Sequence, residues 1–322
     1  MTAHVVAVID DFQQKSLDTI SACLPEGWTL MITTSNSAKD VQTAMADADV
    51  IFLMGKAVTA PMVQASHKLR FIQKLGAGVD NIDLQACQAQ GVAVAKLHGG
   101  NAVPVAEHTL LMTLATLRRL PQLDRDTRNG LWVREQARTV SRQLSGKTVG
   151  IVGFGAIGRA YARLLRGFDA KVNYFDIVHA PPALCRELNA TYTDFDTLLS
   201  SSDIISVHTP LTEATRHRFG AREFALMKPS AVFINCARGG IVDEAALLEA
   251  LKRNAIHGAG IDVFAQEPTP QSTEFFTLDN CVVTPHTAGG TVDNFEYVVR
   301  RAIANVQRLD QGQALPEGDR VV

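Results

Sequence analysis

The chain has 322 residues, of which 46% are hydrophobic and 20% are charged, and its formal net charge is −2. This composition predicts a globular protein long enough for two domains and excludes a disordered chain. The near-neutral charge provides no basic stripe for nucleic acid and no polybasic patch for a membrane. We therefore expect small molecules or protein as partners.

Five cysteines are spread along the chain, without a CxxC pair or a Cys/His pair at the spacing of metal ligands. This pattern predicts reduced thiols, no metal site and a cytoplasmic location. The first residues, MTAHVVAVIDD, contain neither a basic segment nor a long apolar run, and no later run is long and apolar enough to span a membrane. We expect a protein that is neither exported nor membrane-spanning.

In the first hundred residues, short apolar runs alternate with helix-like segments. The strand candidates are HVVAVID, TLMITT, DVIFLM, RFIQKLG and VAVAKLH. Strands that alternate with helices form parallel sheets. The sequence therefore predicts an α/β, flavodoxin-like doubly wound domain over residues 1–100.

An apolar helix is predicted next, in the segment VAEHTLLMTLATL. Asn101 is its expected N-cap and Pro104 lies in its first turn. Because the helix is apolar on nearly every face, we expect it to be buried between domains or subunits.

A second alternating series follows the helix. Its strand candidates are KTVGIVG, KVNYFD, DIISVHT, AVFINCA, IHGAGID and CVVTPH. They predict a six-stranded doubly wound domain over residues 101–290. Apolar residues at helical spacing after residue 291 predict a final helix that returns to the first domain. The first domain would then comprise residues 1–100 and 291–322.

The segment TVGIVGFGAIGRAYARLL carries Gly153, Gly155 and Gly158 in G-x-G-x-x-G spacing between a strand and a helix. This arrangement is typical of a Rossmann dinucleotide-binding turn, in which the helix N-terminus faces the pyrophosphate. The next strand ends at Asp176, where a carboxylate can bind ribose hydroxyls and repel a 2′-phosphate. No Arg or Lys follows before Arg186, so NAD(H) is the expected cofactor and NADP is disfavoured.

Three further motifs lie at predicted strand ends of the second domain, namely NCARGGIVDE, GIDVFAQEP and TPHTAGG. They contribute Arg238, Glu267 and His286. Taken singly, the arginine fits a salt bridge, the glutamate a solvated loop and the histidine an ordinary loop residue. Together they supply a base, a carboxylate to orient it and a cation for an anionic substrate.

These motifs, with LGAGVDNID and HTPLTEAT, resemble those of the NAD-dependent D-isomer-specific 2-hydroxyacid dehydrogenases over essentially the whole chain. The resemblance, closest in kind to glyoxylate/hydroxypyruvate reductases, implies two doubly wound domains, a substrate domain and a Rossmann domain, with a cleft between them. It implies that His286 is the general acid/base, Glu267 its partner, and Arg238 the residue that binds the substrate and polarises its carbonyl.

The resemblance also implies secondary contacts. Main-chain atoms of Ala156 and Ile157 would meet the pyrophosphate, and Asp262 and the Cys236 carbonyl would orient the carboxamide. The remaining cofactor contacts would come from Thr209, Pro210, Thr215 and Gly289. Contacts to the substrate, largely through main-chain amides, would come from Leu53, Met54, Gly55, Ala77 and Gly78.

Departures from relatives narrow the expected substrate. Phosphite dehydrogenases carry a lysine at the position of Ala77, and formate dehydrogenases a glutamine at that of Glu267. For a phosphate group the chain offers Lys56 alone, in LMGKAVTA, and it stops at Val322 where phosphoglycerate dehydrogenases often add a regulatory domain. Glyoxylate, hydroxypyruvate or an apolar-tailed 2-keto acid remains.

Two alternatives stay open, a phosphoglycerate dehydrogenase-like enzyme and an NAD-sensing binding protein similar to the C-terminal-binding-protein corepressors, which keep the Arg/Glu/His set. The apolar helix and NGLWVREQ, whose Trp132 resembles family residues near the dimer contact, predict a homodimer.

Overall fold

A computed structural model describes residues 2–33 and 37–322. The chain forms two compact units, one of Met1–Asn101 with Gly290–Val322 and the other of Ala102–Gly289. No helix in the described ranges has the length and apolar character that crossing a bilayer requires.

The first unit contains a five-stranded parallel sheet in the order β2-β1-β3-β4-β5. Its strands are β1 Val5–Val8, β2 Thr29–Ile32, β3 Val50–Leu53, β4 Phe71–Lys74 and β5 Ala93–Ala95. The five predicted strands and the flavodoxin-like doubly wound class are confirmed. The predicted segment TLMITT ends at Thr34, which lies outside the described residues.

Helices cover both faces of this sheet, as its apolar strands require. They are α1 Gln14–Cys23, α2 Ala38–Asp47, α3 Ala60–Gln64, α4 Leu84–Ala89 and α13 Val292–Asp310. The long helix α13 places Val299, Ala302 and Val306 in one core cluster with Phe52 and Phe71. The final segment of the chain is therefore part of the first unit's core.

The second unit contains a seven-stranded parallel sheet in the order β12-β11-β10-β9-β6-β7-β8. Its strands are β6 Thr148–Val152, β7 Lys171–Phe175, β8 Ala190–Tyr192, β9 Ile204–Val207, β10 Val232–Asn235, β11 Gly258–Ile261 and β12 Cys281–Val283. The prediction of six strands was wrong because β8 was missed. This edge strand has three residues, two of them exposed, and so lacks an apolar run.

The helices of the second unit are α5 Ala102–Leu117, α6 Leu120–Arg128, α7 Arg134–Val140, α8 Ala156–Leu165, α9 Pro182–Leu188, α10 Phe195–Ser201, α11 Ala221–Leu226 and α12 Glu244–Lys252. Helix α5 buries Met112 and Ala115 in the core, whereas Val103 and Leu111 are 62% and 54% exposed in the single chain. The predicted Asn101 cap is absent, since its Oδ1 has no hydrogen-bond partner among the described residues.

Candidate functional site

In the second unit, the predicted site residues lie at the carboxyl ends of strands β6, β7, β9, β10, β11 and β12. Because all seven strands are parallel, these ends share one edge of the sheet. The order in which the chain adds strands reverses at β6, which pairs with β9 on one side and with β7 on the other. Open α/β sheets bind ligands at such a switch point.

Arg238 follows β10 in a loop that Asn235 shapes. The Asn235 side chain accepts from the Ala237 amide at 3.0 Å and donates to the Arg238 carbonyl at 3.0 Å, which bends the chain directly after the strand. The next residue, Gly239, is so close to the loop after β11 that a Cβ atom would lie 1.9 Å from the Phe264 carbonyl carbon. The loops that carry Arg238 and Glu267 are therefore packed against each other.

His286 and Glu267 form a direct pair. His286 Nδ1 lies 2.7 Å from Glu267 Oε2, and the second carboxylate oxygen accepts from the Phe264 amide at 2.9 Å. The two side chains are 44% and 38% exposed, so a ligand can reach them. A histidine whose Nδ1–H binds a carboxylate has its tautomer and ring orientation fixed, and Nε2 is left for chemistry.

The backbone at His286 supports this arrangement. His286 has φ 54°, a left-handed conformation that is uncommon for a residue other than glycine. Its amide donates to the Asp262 carbonyl at 2.7 Å, which holds the loop in this conformation. Unusual backbone of this kind is concentrated at functional sites.

The electrostatics of Glu267 connect all three predicted residues. Burial alone would raise its pKa, but the hydrogen bonds from His286 and the Phe264 amide, with the charges of His286 and Arg238, lower the pKa below the ordinary value. Glu267 is therefore ionised at neutral pH. Arg238, whose own Nη1 donates to the Ala237 carbonyl at 2.7 Å, lies close enough for its charge to act on Glu267.

Asp262 is fully buried and joins the loops after β11 and β12. It accepts from the Thr284 hydroxyl at 2.6 Å and from the amides of Thr287 and Ala288 at 2.9 and 3.0 Å. Burial would raise its pKa, yet hydrogen bonds from His108, Thr284 and these amides lower it. An ionised Asp262 thus positions the segment that carries His286, a role that the sequence analysis missed.

Cys236 is buried beside this network. Burial and the negative charge of Asp262 raise the pKa of its thiol to about 12. The thiol is protonated at neutral pH, so Cys236 does not act as a nucleophile.

The glycine motif forms the turn between β6 and α8. Gly153 has φ +94°, and a Cβ atom there would lie 2.7 Å from the His208 carbonyl, so only glycine fits. A Cβ atom at Gly158 would lie 2.2 Å from the Gly153 carbonyl oxygen, which shows how closely the helix follows the turn. At Gly155, by contrast, no atom of the described residues lies within 4 Å of that position, apart from its chain neighbours and the adjoining helix backbone.

These observations fit a dinucleotide at the start of α8. Gly155 is the residue before the helix, and Ala156 and Ile157 are its first two residues, so their amides lack partners within the helix. The open space at Gly155 lets a pyrophosphate approach the main chain. Asp176 is tied to the same turn, because its carboxylate accepts from the Phe154 amide at 2.6 Å and the Val178 amide at 3.1 Å.

The loop after β9 is held by its own side chains. The Thr215 hydroxyl donates to the Pro210 carbonyl at 2.7 Å and accepts from the Thr212 amide at 2.8 Å. Thr209 directly precedes Pro210 and follows His208. Burial lowers the pKa of His208 to about 3. Gly289 is the last residue of the second unit, directly after Ala288, which Asp262 holds.

The substrate contacts predicted in the first unit follow β3 and β4. Leu53 is the last residue of β3 and fully buried, Met54 and Gly55 follow it, and Ala77 and Gly78 lie in the loop after β4. The structure corrects one expectation here. The amides of Met54 and Gly55 do not face a ligand, because they donate to the Asp10 carboxylate at 2.5 and 2.6 Å.

Comparisons with known proteins agree with this geometry. The family model for the NAD binding domain of D-isomer specific 2-hydroxyacid dehydrogenases matches residues 110–288, more than half of the chain. The chain is 36% identical over 272 residues to a glyoxylate reductase of Thermococcus litoralis, covering 83% of this chain and 82% of that one.

It is also 37% identical over 254 residues to a D-3-phosphoglycerate dehydrogenase of Archaeoglobus fulgidus, covering 78% of this chain and 48% of that one. The match thus spans about half the length of that relative. Among solved structures, D-lactate dehydrogenase from Escherichia coli superposes with a TM-score of 0.83 at 27% identity, over 100% of both chains.

The family model covers the strands that carry the glycine turn, Arg238, Glu267 and His286, and the two-sheet fold is shared along the whole length. The chain therefore belongs to the D-isomer specific 2-hydroxyacid dehydrogenases, NAD-dependent oxidoreductases that interconvert 2-keto acids and D-2-hydroxy acids.

Proposed function

We propose that the protein reduces glyoxylate, hydroxypyruvate or a small 2-keto acid with an apolar tail to the corresponding 2-hydroxy acid, with the D configuration wherever C2 is a stereocentre. The relative from Thermococcus litoralis, matched over most of both chains, is named a glyoxylate reductase. Ala77 and Glu267 argue against phosphite and formate, as they differ from the residues of those enzymes. Phosphoglycerate is the less favoured alternative, because LMGKAVTA offers only Lys56 for a phosphate group.

The observation that carries the proposal is the contact of 2.7 Å between His286 Nδ1 and Glu267 Oε2. A histidine oriented by an ionised carboxylate is suited to move a proton at its other ring nitrogen. Arg238 adds a permanent positive charge, which contributes to the lowered pKa of Glu267 after the hydrogen bonds from His286 and the Phe264 amide.

When bound, NADH supplies the hydride that goes to C2 of the 2-keto acid. Arg238 binds the substrate carboxylate through a two-pronged hydrogen bond and polarises the neighbouring carbonyl. His286 donates the proton on Nε2 to the oxygen as it becomes an alkoxide. Glu267 keeps Nδ1–H in place throughout, so the ring retains its orientation. In the reverse direction His286 accepts the hydroxyl proton.

The cofactor residues have the roles that the family pattern gives them. Amides of Ala156 and Ile157 bind the pyrophosphate at the start of α8, and Asp176 accepts from the ribose hydroxyls. Thr209, Pro210, Thr215 and Gly289 line the cofactor, and Asp262 with the Cys236 carbonyl orients the carboxamide. The negative charge at Asp176 favours NADH over NADPH.

The quaternary state and location complete the proposal. Val103, Leu111 and Trp132 are exposed in the single chain, and Trp132 is 83% exposed, so a second copy that covers them would form a homodimer. All five cysteines are free, which supports a reducing, cytoplasmic location. Light scattering at micromolar concentration should give twice the chain mass, and a monomer mass would contradict the dimer.

Kinetics with a panel of 2-keto acids test the proposed function. We expect oxidation of NADH with glyoxylate or hydroxypyruvate, a D-configured product from hydroxypyruvate, and slower turnover with NADPH. A substrate of similar size without the 2-carbonyl, such as glycolate, serves as the control in this direction. If NADH binds but no 2-keto acid at millimolar concentration is reduced, the protein is an NAD-binding scaffold instead.

A further inference from the structure

The loop directly after β3, residues 54–56, is held by side chains from three other segments of the first unit. It lies beside the loop after β4, since β3 and β4 are neighbours in the sheet with Leu53 opposite Lys74. The family resemblance implies substrate contacts from both loops. The side chains that hold them belong to Asp10, Lys74 and Asn81, and no role has been assigned to these three.

Asp10 binds the amides of the loop. It follows β1, the strand next to β3. Its Oδ2 accepts from the Met54 amide at 2.5 Å, and its Oδ1 accepts from the amides of Gly55 and Lys56 at 2.6 and 2.8 Å. Three consecutive amides therefore converge on one carboxylate, an arrangement that fixes the loop conformation.

Lys74 and Asn81 bind the carbonyls of the same loop. The buried ammonium of Lys74, at the end of β4, donates to the Met54 carbonyl and, at 2.8 Å, to the Asn81 side-chain oxygen. The Asn81 amide group then donates to the carbonyls of Gly55 and Lys56 at 3.1 and 2.6 Å. The amide and carbonyl of every residue from Met54 to Lys56 thus bind a side chain.

These bonds also join the two loops to each other. Asn81 lies three residues after Gly78 in the loop that follows β4, and it contacts the loop that follows β3 directly. Because Lys74 is only 6% exposed, the loss of an acceptor would leave a buried charge without full compensation. The network therefore resists displacement of either loop.

We propose that Asp10, Lys74 and Asn81 are positioning residues for the 2-keto acid. They hold Met54 and Gly55 in a fixed relation to Ala77 and Gly78. This inference rests on the proposed function, together with the expectation that these four residues line the substrate. The amides after β3 already donate to Asp10, so they are not available to bind a substrate anion. This loop therefore contributes to the shape of the substrate site. Recognition of the substrate anion falls to other groups.

Two nearly isosteric variants test the proposal. Asn81→Asp keeps the acceptor for Lys74 but removes the donors to Gly55 and Lys56, and Asp10→Asn removes the negative charge that binds three amides. We expect each to raise KM for glyoxylate and hydroxypyruvate by roughly tenfold or more, with kcat within about threefold. KM for NADH should stay within about twofold, because the glycine turn belongs to the second unit.

Asp18→Asn and Asn254→Asp are matched controls, since both residues are exposed and distant in sequence from these loops. A purely structural role would lower the midpoint of thermal unfolding. It would leave KM for the 2-keto acid and KM for NADH unchanged relative to kcat. Unchanged KM in both variants, or failure of both to fold, would overturn the positioning role. A parent protein that reduces no 2-keto acid would instead overturn the proposed function, and the positioning role with it.

Discussion

Side chains hold loop main chain in both units, but the second unit adds a direct bond between two predicted catalytic side chains. In the second unit, functional side chains bind one another, as His286 binds Glu267 at 2.7 Å. In the first unit, Asp10 and Asn81 bind the main chain of a loop. This contrast suggests that substitutions in the second unit change the chemical step, whereas those in the first unit change substrate binding. Substitutions in each unit test that division.

Replacement of the proposed general acid should have the largest effect. We expect His286→Ala to lower kcat by about 10²- to 10⁴-fold, the usual contribution of a positioned acid or base. KM for the 2-keto acid should change little, because Arg238 still binds the carboxylate. The measurement is steady-state NADH oxidation, with His67→Ala as a control at an exposed histidine. A fall in kcat of less than tenfold would remove His286 from the role.

Removal of the charge on Glu267, the partner of His286, should have a smaller effect. Glu267→Gln keeps the size of the side chain but loses the ionised acceptor of the His286 Nδ1–H. We expect kcat to fall by roughly 10- to 100-fold, less than for His286→Ala, since the imidazole remains. An equal fall in both variants would mean that the pair acts as one unit.

The same variant has a predictable pH dependence of stability. The pKa of Glu267 is lowered in the folded protein, so its ionised form stabilises the fold above the ordinary carboxyl pKa. This contribution is lost as the pH falls through the lowered pKa. The difference in unfolding free energy between the parent and Glu267→Gln should therefore be largest near neutral pH and shrink below about pH 4. A constant difference from pH 7 to pH 3 would contradict this.

A histidine far from the chemistry should affect stability alone. His4 contacts Asp49 and, at 2.7 Å, Asp310 at the end of α13. Burial lowers its pKa, but the hydrogen bonds and charges of Asp310 and Asp49 outweigh this and raise it. The stabilisation is complete below the ordinary value of 6.5 and is lost as the pH rises through the raised pKa.

We therefore expect His4→Asn to cost about 1 to 3 kcal/mol of unfolding free energy at pH 6, and less at pH 9. Chemical denaturation at both pH values measures it, with His67→Asn as the control. Kinetic constants at 25 °C should be unchanged. An equal cost at both pH values would show that the charge on His4 is unimportant.

Much of the fold could be predicted from the sequence because parallel strands buried on both faces are continuous apolar runs. VVAV and VFIN are such runs, and both are strands. Strand β8 has no such run, since Ala190–Tyr192 lies at the edge of the sheet and is stabilised by its pairing with β7. The Asn101 cap failed because local capping propensity does not determine where a side chain points once the chain folds.

Prediction of the site from the sequence has the same limit, because it also depends on local motifs. His286, Glu267 and Arg238 belong to motifs in which the residue type itself indicates the chemistry. Asp10 and Lys74 carry no such motif, since any carboxylate or amine at a strand end has the same pattern. Their main-chain partners are 44 and 20 positions away, respectively, and only the folded structure brings them together. Asn81 was within a recognised motif, but its three contacts are not encoded by spacing.

The place of α13 in the first unit also constrains how the chain folds during synthesis. Residues 102–289 form a continuous unit that has all of its strands before α13 emerges from the ribosome. The sheet of the first unit is translated earlier, yet its core lacks Val299, Ala302 and Val306 until nearly the whole chain has been made. The half that is translated first is therefore completed last, and until α13 packs against it part of one apolar face of its sheet stays uncovered.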